Sequence, residues 1–127
     1  YSPGHTDTHF SYMLNYNNSK LLFSGDALLI NACGRTDFQS GSSEELFNTI
    51  KNIFYKLPDD TKIYPTHDYN NKTFSTIKDQ KKDNSFIDEN TNIENFVDSM
   101  KNLKLDKPKK IDHAVPLNNN CGIPNSD

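Results

Sequence analysis

Four short words in the chain carry side chains suited to chemistry: Pro3-Gly4-His5, Ser24-Gly25-Asp26, Cys33-Gly34-Arg35 and Pro65-Thr66-His67. His5 and His67 offer imidazole nitrogens and Asp26 a carboxylate, a donor set that suits Zn, Fe(II) or Mn(II). Two histidines and one carboxylate also make a facial triad with open positions, the arrangement of non-haem iron oxygenases. Spacing argues less. The three residues stand 21 and 41 positions apart, and on spacing alone two turn-capping histidines with a turn-accepting aspartate are the simpler account.

Arg35 is the only arginine in a chain with 13 lysines, and it follows a glycine turn. Its planar fork grips a carboxylate bidentately, as lysine cannot. Two readings stay open: a clamp for an anionic substrate, or a structural pair with Asp37. Tyr69, two residues after His67, is a site hydroxyl or a core aromatic. Cys33 between Ala32 and Gly34 reads first as a small buried thiol and only second as a reactive thiolate. His9, at the start of an expected strand, and His113, beside Asp112, are assigned structural roles.

The elements that must position these groups follow from pattern. Phe10 to Tyr16 alternates as a strand. Asn17-Asn18-Ser19 is turn chemistry, and Lys20 to Ser24 pairs back as a hairpin. Leu21-Leu22-Phe23 reads as a buried strand that delivers Asp26 at its exit, with a second apolar run from Ala27 to Ile30. Ser42 with Glu45 fits a capping box. The helix behind it places Leu46, Ile50, Ile53, Phe54 and Leu57 on one face and ends at Pro58. Lys62 to Pro65 is a short strand, and Ser75 to Lys82 a polar helix. Thr91 with Glu94 caps a helix whose stripe is Ile93, Phe96, Val97 and Met100. The tail from Ile111 to Pro124 contains two prolines and is expected to be extended. Hairpin, helix, strand, helix, helix predicts a single α/β unit with no internal repeat. A sheet this small, covered on one side, leaves an apolar face that further strands would have to complete.

Composition limits the function classes. The chain has 127 residues, 33% of them hydrophobic, with 17 asparagines and 14 aromatics; mean hydropathy is −0.83. The aromatics argue for a core despite the polar load. A net charge of −3 and pI near 5.8 give no nucleic-acid footprint. No apolar run approaches the roughly 20 residues that span a bilayer, so no membrane partner is expected. Cys33 and Cys121 form no CxxC pair and suit a reducing compartment. The opening Tyr1-Ser2-Pro3 is neither a signal nor a transit peptide and reads as a start inside a longer protein.

Together the words SPGHTD at 2–7, SGDALLI at 24–30, CGRTDFQSG at 33–41, YPTHDY at 64–69 and IDHAVP with Cys121-Gly122 resemble the C-terminal half of the metallo-β-lactamase-fold persulfide dioxygenases. Glyoxalase II, a related thioester hydrolase, typically has HEY where this chain has His67-Asp68-Tyr69, and it lacks the RTDFQ wording. Thr8 departs from the family's usual glycine, and Asn31 and Ala32 from its usual residues. The resemblance implies an αββα sandwich of which residues 1–127 are the C-terminal portion of one domain. It implies one Fe(II) per chain, with Zn the alternative, held by His5, Asp26 and a histidine of an upstream THxHxDH motif. His67 would lie behind those ligands, or hold a second metal if the chain is a hydrolase. Arg35 and Tyr69 would face glutathione. The implied reaction is oxidation of glutathione persulfide by O2 to sulfite and glutathione, in mitochondria or else the cytoplasm, in a family where dimers occur. The alternatives are glyoxalase II-type hydrolysis of S-lactoylglutathione and an inactive binding module. Residues 1–127 alone are expected to be inactive, because the ligand set is incomplete.

Overall fold

Alternation and turn chemistry build the first hairpin. The computed structural model describes residues 1–69 and 71–123. Strand β1 (Tyr12–Tyr16) pairs antiparallel with β2 (Ser19–Gly25), Tyr12 opposite Phe23 and Tyr16 opposite Ser19. Asn17 and Asn18 form the turn at φ 46° and 60°, a left-handed region that asparagine tolerates. Next, β2 pairs in parallel with β5 (Lys62–Pro65), which carries the short β6 (Ser75–Thr76) antiparallel on its far side. The sheet order is β1-β2-β5-β6. A separate two-residue hairpin, β3 (Leu28–Leu29) with β4 (Ala32–Cys33), turns at Asn31, φ 57°.

Helix α1 (Ser43–Asn48) starts where the capping box predicts: the Ser42 side chain accepts from the Glu45 N–H at 3.2 Å. It widens into a π-type turn over Thr49–Ile53 and tightens into a 3₁₀ turn over Phe54–Lys56. The wide turn breaks the 3.6-residue stripe. Leu46, Ile50 and Phe54 are buried, but Ile53, expected on the same face, is exposed. Helix α2 (Ile77–Asp83) is capped by Thr76. Helix α3 (Ile93–Asn102) is capped by Asn92, one residue later than expected, because the Thr91 hydroxyl is committed to the Asp88 carboxylate at 2.7 Å. Phe96 and Met100 enter the core.

The tail corrects the sequence reading. Ile111–Asn119 is a helix, α4, with Pro116 inside it. Proline lacks an N–H but keeps its carbonyl, so the helix continues beyond it: the Asn120 N–H donates to Pro116 O at 3.2 Å. Pro124 lies outside the described residues. Among the described residues no helix is long and apolar enough to cross a membrane.

One face of the sheet packs Leu22 and Ile63 against α1, its continuing turns and α3. The other presents Tyr12, Leu14, Tyr16 and Phe23 to solvent. There Phe23 stacks on Tyr64 with centroids 5.7 Å apart, and Tyr64 meets Phe74 at a tilt with centroids 5.8 Å apart.

A buried polar network ties the β3–β4 hairpin to α2. Gln80 is fully buried. Its Oε1 accepts from the Asn31 N–H and Asn84 Nδ2, each at 2.9 Å, and its Nε2 donates to Ser75 Oγ at 2.8 Å. Asn84 Nδ2 also donates to Ala32 O at 3.0 Å. Replacing Gln80 with leucine keeps the volume but strands the Asn31 N–H in the interior. Chemical denaturation of the intact protein is expected to show a loss of about 1–3 kcal/mol; an unchanged midpoint would mean the network is structurally idle.

Candidate metal centre

The parallel register of β2 and β5 sets Gly25 beside Pro65, so both strands end together. Asp26 leaves one and Thr66-His67 the other. The Thr66 N–H donates to Gly25 O at 3.4 Å across the exit. His67 Nε2 lies 3.4 Å from Asp26 Oδ1, and Thr66 Oγ1 donates to that same oxygen at 2.5 Å.

His5 arrives from the other side on the loop before β1. Gly4, at φ +130°, lets that loop press on α1, where a Cβ would stand 2.3 Å from the Leu46 backbone. The loop is fastened by the Ser42 N–H to Gly4 O at 2.9 Å and by Thr49 Oγ1 to Pro3 O at 2.7 Å. His5 Nδ1 lies 2.7 Å from Arg35 O. A carbonyl can only accept, so Nδ1 carries the proton and Nε2 keeps its lone pair. That Nε2 is 3.8 Å from Asp26 Oδ2. Gly34 makes the approach possible, since a Cβ there would meet Asp26 O at 2.1 Å and His5 Nδ1 at 2.9 Å.

Asp26 therefore lies between two imidazoles, with one carboxylate oxygen toward each. Two donors bound about 2.1 Å from one cation stand roughly 3–4 Å apart, so His5 Nε2 with Asp26 Oδ2 fits a shared ion in donor type and spacing. The backbone bond at the far nitrogen of His5 is the usual orienting contact of a metal-ligating histidine. Among the described residues no group of three or more His, Cys, Asp or Glu is arranged to hold a metal. His5 and Asp26 supply two donors, and His67 flanks the carboxylate on its other oxygen.

These groups open into a cavity of about 570 Å³ whose apolar walls include Leu29, Cys33, Phe86 and Leu103. Tyr69 sits at its rim, mostly exposed, stacked on His67 with centroids 6.3 Å apart. Cys33 is buried, and burial pushes its thiol up to about 12, which makes it packing rather than a nucleophile.

Of the two readings of Arg35, the ion pair is the one present. Nε and Nη2 donate to the two Asp37 oxygens at 2.7 and 2.8 Å, and Nη1 donates to Asp106 O at 2.8 Å. The guanidinium lies 4.5 Å from the Phe38 ring centroid. It thus straps the 103–108 segment, one wall of the cavity, to the turn that bears His5's acceptor.

The residues that sequence reasoning missed are His9 and Thr66. His9 does not begin a strand. It precedes β1, and its Nε2 accepts the Asp26 N–H at 3.3 Å, while burial and the nearby His5 pull it below the ordinary histidine range. The only sequence signals were its position four residues after His5 and the threonine inside Pro65-Thr66-His67.

The family model described as the metallo-beta-lactamase superfamily matches residues 1–67. The chain is 43% identical over 122 residues to human persulfide dioxygenase ETHE1, named mitochondrial, covering 96% of this chain and 46% of that protein. It is 36% identical over 104 residues to hydroxyacylglutathione hydrolase of Dictyostelium discoideum, covering 79% of this chain and 37% of that protein. Among solved structures, ETHE1 from Myxococcus xanthus superposes with a TM-score of 0.88 at 42% identity, over 96% of this chain and 52% of that one. The chain spans about half the length of these two ETHE1 proteins.

The Arg35 guanidinium beside Asp37 holds that carboxyl below the usual carboxylate range. A depressed folded-state value means the link is intact at and above the ordinary carboxylate range and is lost as pH falls through the lowered value. Asp37→Asn is expected to loosen the strap at neutral pH, read as faster tryptic cleavage after Lys104 in the intact protein. In the parent, amide exchange at Leu103 to Asp106 should speed up, beyond its intrinsic pH dependence, only under acid conditions. Cleavage at the parent's rate would separate the strap from the ion pair.

Proposed function

The chain belongs to the metallo-β-lactamase superfamily, and on that premise we propose that the intact protein is an iron-dependent persulfide dioxygenase. The observation that carries the reading is Asp26 between the Nε2 atoms of His5 and His67 at the mouth of an apolar cavity. An alignment that covers 96% of the chain at 43% identity to human persulfide dioxygenase supports the substrate class. The open aromatic face of the sheet, and relatives twice as long, support an upstream half that supplies a second sheet and a third ligand.

The overall change joins glutathione persulfide, O2 and water to give glutathione, sulfite and two protons. Iron(II), when bound, would be held by His5 and Asp26 with a histidine from upstream, and would supply the redox chemistry that couples O2 to sulfur. The chain's own residues prepare that reaction. Arg35 O fixes the tautomer of His5 and so aims its lone pair inward. Thr66 and His67 occupy Oδ1 of Asp26 and leave Oδ2 to the metal. The apolar walls exclude bulk water from the terminal sulfur. Arg35 shapes the glutathione side by holding the 103–108 wall, and Tyr69 at the rim offers a hydroxyl to the tripeptide. The relatives named mitochondrial support that location for the intact protein.

A second reading is glyoxalase II-type thioester hydrolysis, favoured by the hydroxyacylglutathione hydrolase match and by His67 standing close enough to Asp26 to help hold a second metal. Oxygen uptake decides between them. The intact, iron-loaded protein is expected to consume O2 and release sulfite when given glutathione persulfide, with one iron per chain. Hydrolysis of S-lactoylglutathione without O2 uptake, and two metals per chain, would move His67 into the ligand set.

A further inference from the structure

Asp26 is a short side chain just past the end of its strand, where the ladder no longer holds it. Gly25 before it adopts φ +60°, and the register of β2 against β5 shifts between Phe23 and Gly25. The Asp26 N–H is turned out of the sheet, and it donates to His9 Nε2 at 3.3 Å.

The His9 ring is itself fixed. Its Nδ1 donates to Ser2 O at 3.1 Å and lies 2.9 Å from Ser2 Oγ. Ser2 is buried, its Oγ 2.9 Å from Ser11 Oγ, and Ser11 Oγ donates to Ser24 O at 3.1 Å. A carbonyl at Nδ1 dictates the proton there and an acceptor lone pair at Nε2, which is what the Asp26 N–H requires. Gly25 admits the ring, since a Cβ would stand 2.5 Å from His9 Nε2. At the carboxylate end, Thr66 Oγ1 takes Oδ1 at 2.5 Å.

We infer that His9 and Thr66 are positioning residues for Asp26: His9 fixes its backbone and Thr66 its carboxylate rotation, so that Oδ2 is turned toward His5 Nε2. Neither side chain supplies a metal donor in this arrangement. They set where the donor stands, and a binding group held by such contacts loses affinity when they are removed. The inference rests on the metal reading of His5 and Asp26.

Two substitutions at His9 separate positioning from packing. A glutamine oxygen can reach the place of Nε2 and still accept from Asp26, whereas asparagine reaches only the place of Nδ1. In the intact protein, His9→Asn is expected to weaken Fe(II) binding by about tenfold or more and to shift the visible absorption of the cobalt(II)-loaded form, while His9→Gln retains both. Thr66→Val, isosteric and on the exposed rim, is expected to behave like His9→Asn without a change in the melting temperature of the metal-free protein. It keeps the test available if His9→Asn does not fold. Parent-like affinity and cobalt spectrum in Thr66→Val and His9→Asn would overturn the inference, as would equal losses in the asparagine and glutamine variants. A parent protein that takes up no iron(II) overturns the metal reading itself and the inference built on it.

Discussion

The parallel pairing of β2 with β5 is the constraint on which the site depends. Two parallel neighbours end at the same edge of a sheet, and ligands gather outside the carboxyl ends of such strands. Here the edge holds Asp26 from one strand and Thr66 with His67 from the other. A parallel pair also obliges the chain to cross over between its strands. The crossover carries the β3–β4 hairpin, the Cys33-Gly34-Arg35 turn and α1. Those are the pieces that bring a carbonyl to His5 and a packing surface to Gly4. One topological choice therefore places the carboxylate and aims the imidazole that faces it.

Arg35 acts at two ends. Its carbonyl orients His5. Its guanidinium, committed to Asp37 and the Asp106 carbonyl, holds the far wall of the cavity. Lysine could supply the charge but not the planar fork that serves Asp37 bidentately while a third nitrogen reaches Asp106. This geometry gives a physical reason for one arginine in a lysine-rich chain. The site's most specific sequence word, CGRTDFQ, also reads differently once folded: glycine for approach, arginine for the strap, aspartate for its anchor, and phenylalanine under the guanidinium.

Local chemistry was legible where the determinants are local. The Asn17-Asn18 turn, the Ser42 cap, the stop before Pro58 and the Lys62–Pro65 strand all follow from residues within a few positions of one another. The errors lie where a distant or competing contact decides. Thr91 lost the cap to Asn92 because Asp88 holds its hydroxyl. Ile53 left the core because a wide turn rotated the stripe. Two prolines predict an extended tail, but Pro116 sits inside a helix. The site shows the same division. His5, Asp26 and His67 could be named as donors from residue type and wording, but spacing cannot express that β2 and β5 lie side by side. The role of His9 is a matter of one nitrogen 17 residues from its partner, and its place four residues after His5 is the one trace of it in the sequence.

Asp26 also marks a boundary between two environments. On one side lies the apolar cavity. On the other, Phe10, Tyr12, Phe23 and Tyr64 line a second hollow of about 550 Å³ that reaches the same carboxylate and opens onto the aromatic face of the sheet. A surface that apolar is suited to being covered. Covering it would strip water from Asp26 on that side, and a carboxylate deprived of water is costly unless a cation or several donors compensate. The groups already there are the Thr66 hydroxyl and His67 Nε2 at Oδ1 and His5 Nε2 at Oδ2, with His9 acting only on the backbone. A cover over this face would leave Asp26 dependent on those neighbours, and a cation at Oδ2 would offset the lost water. Under the proposed metal reading, the packing of the aromatic face and the charge balance of the site therefore meet at a single carboxylate.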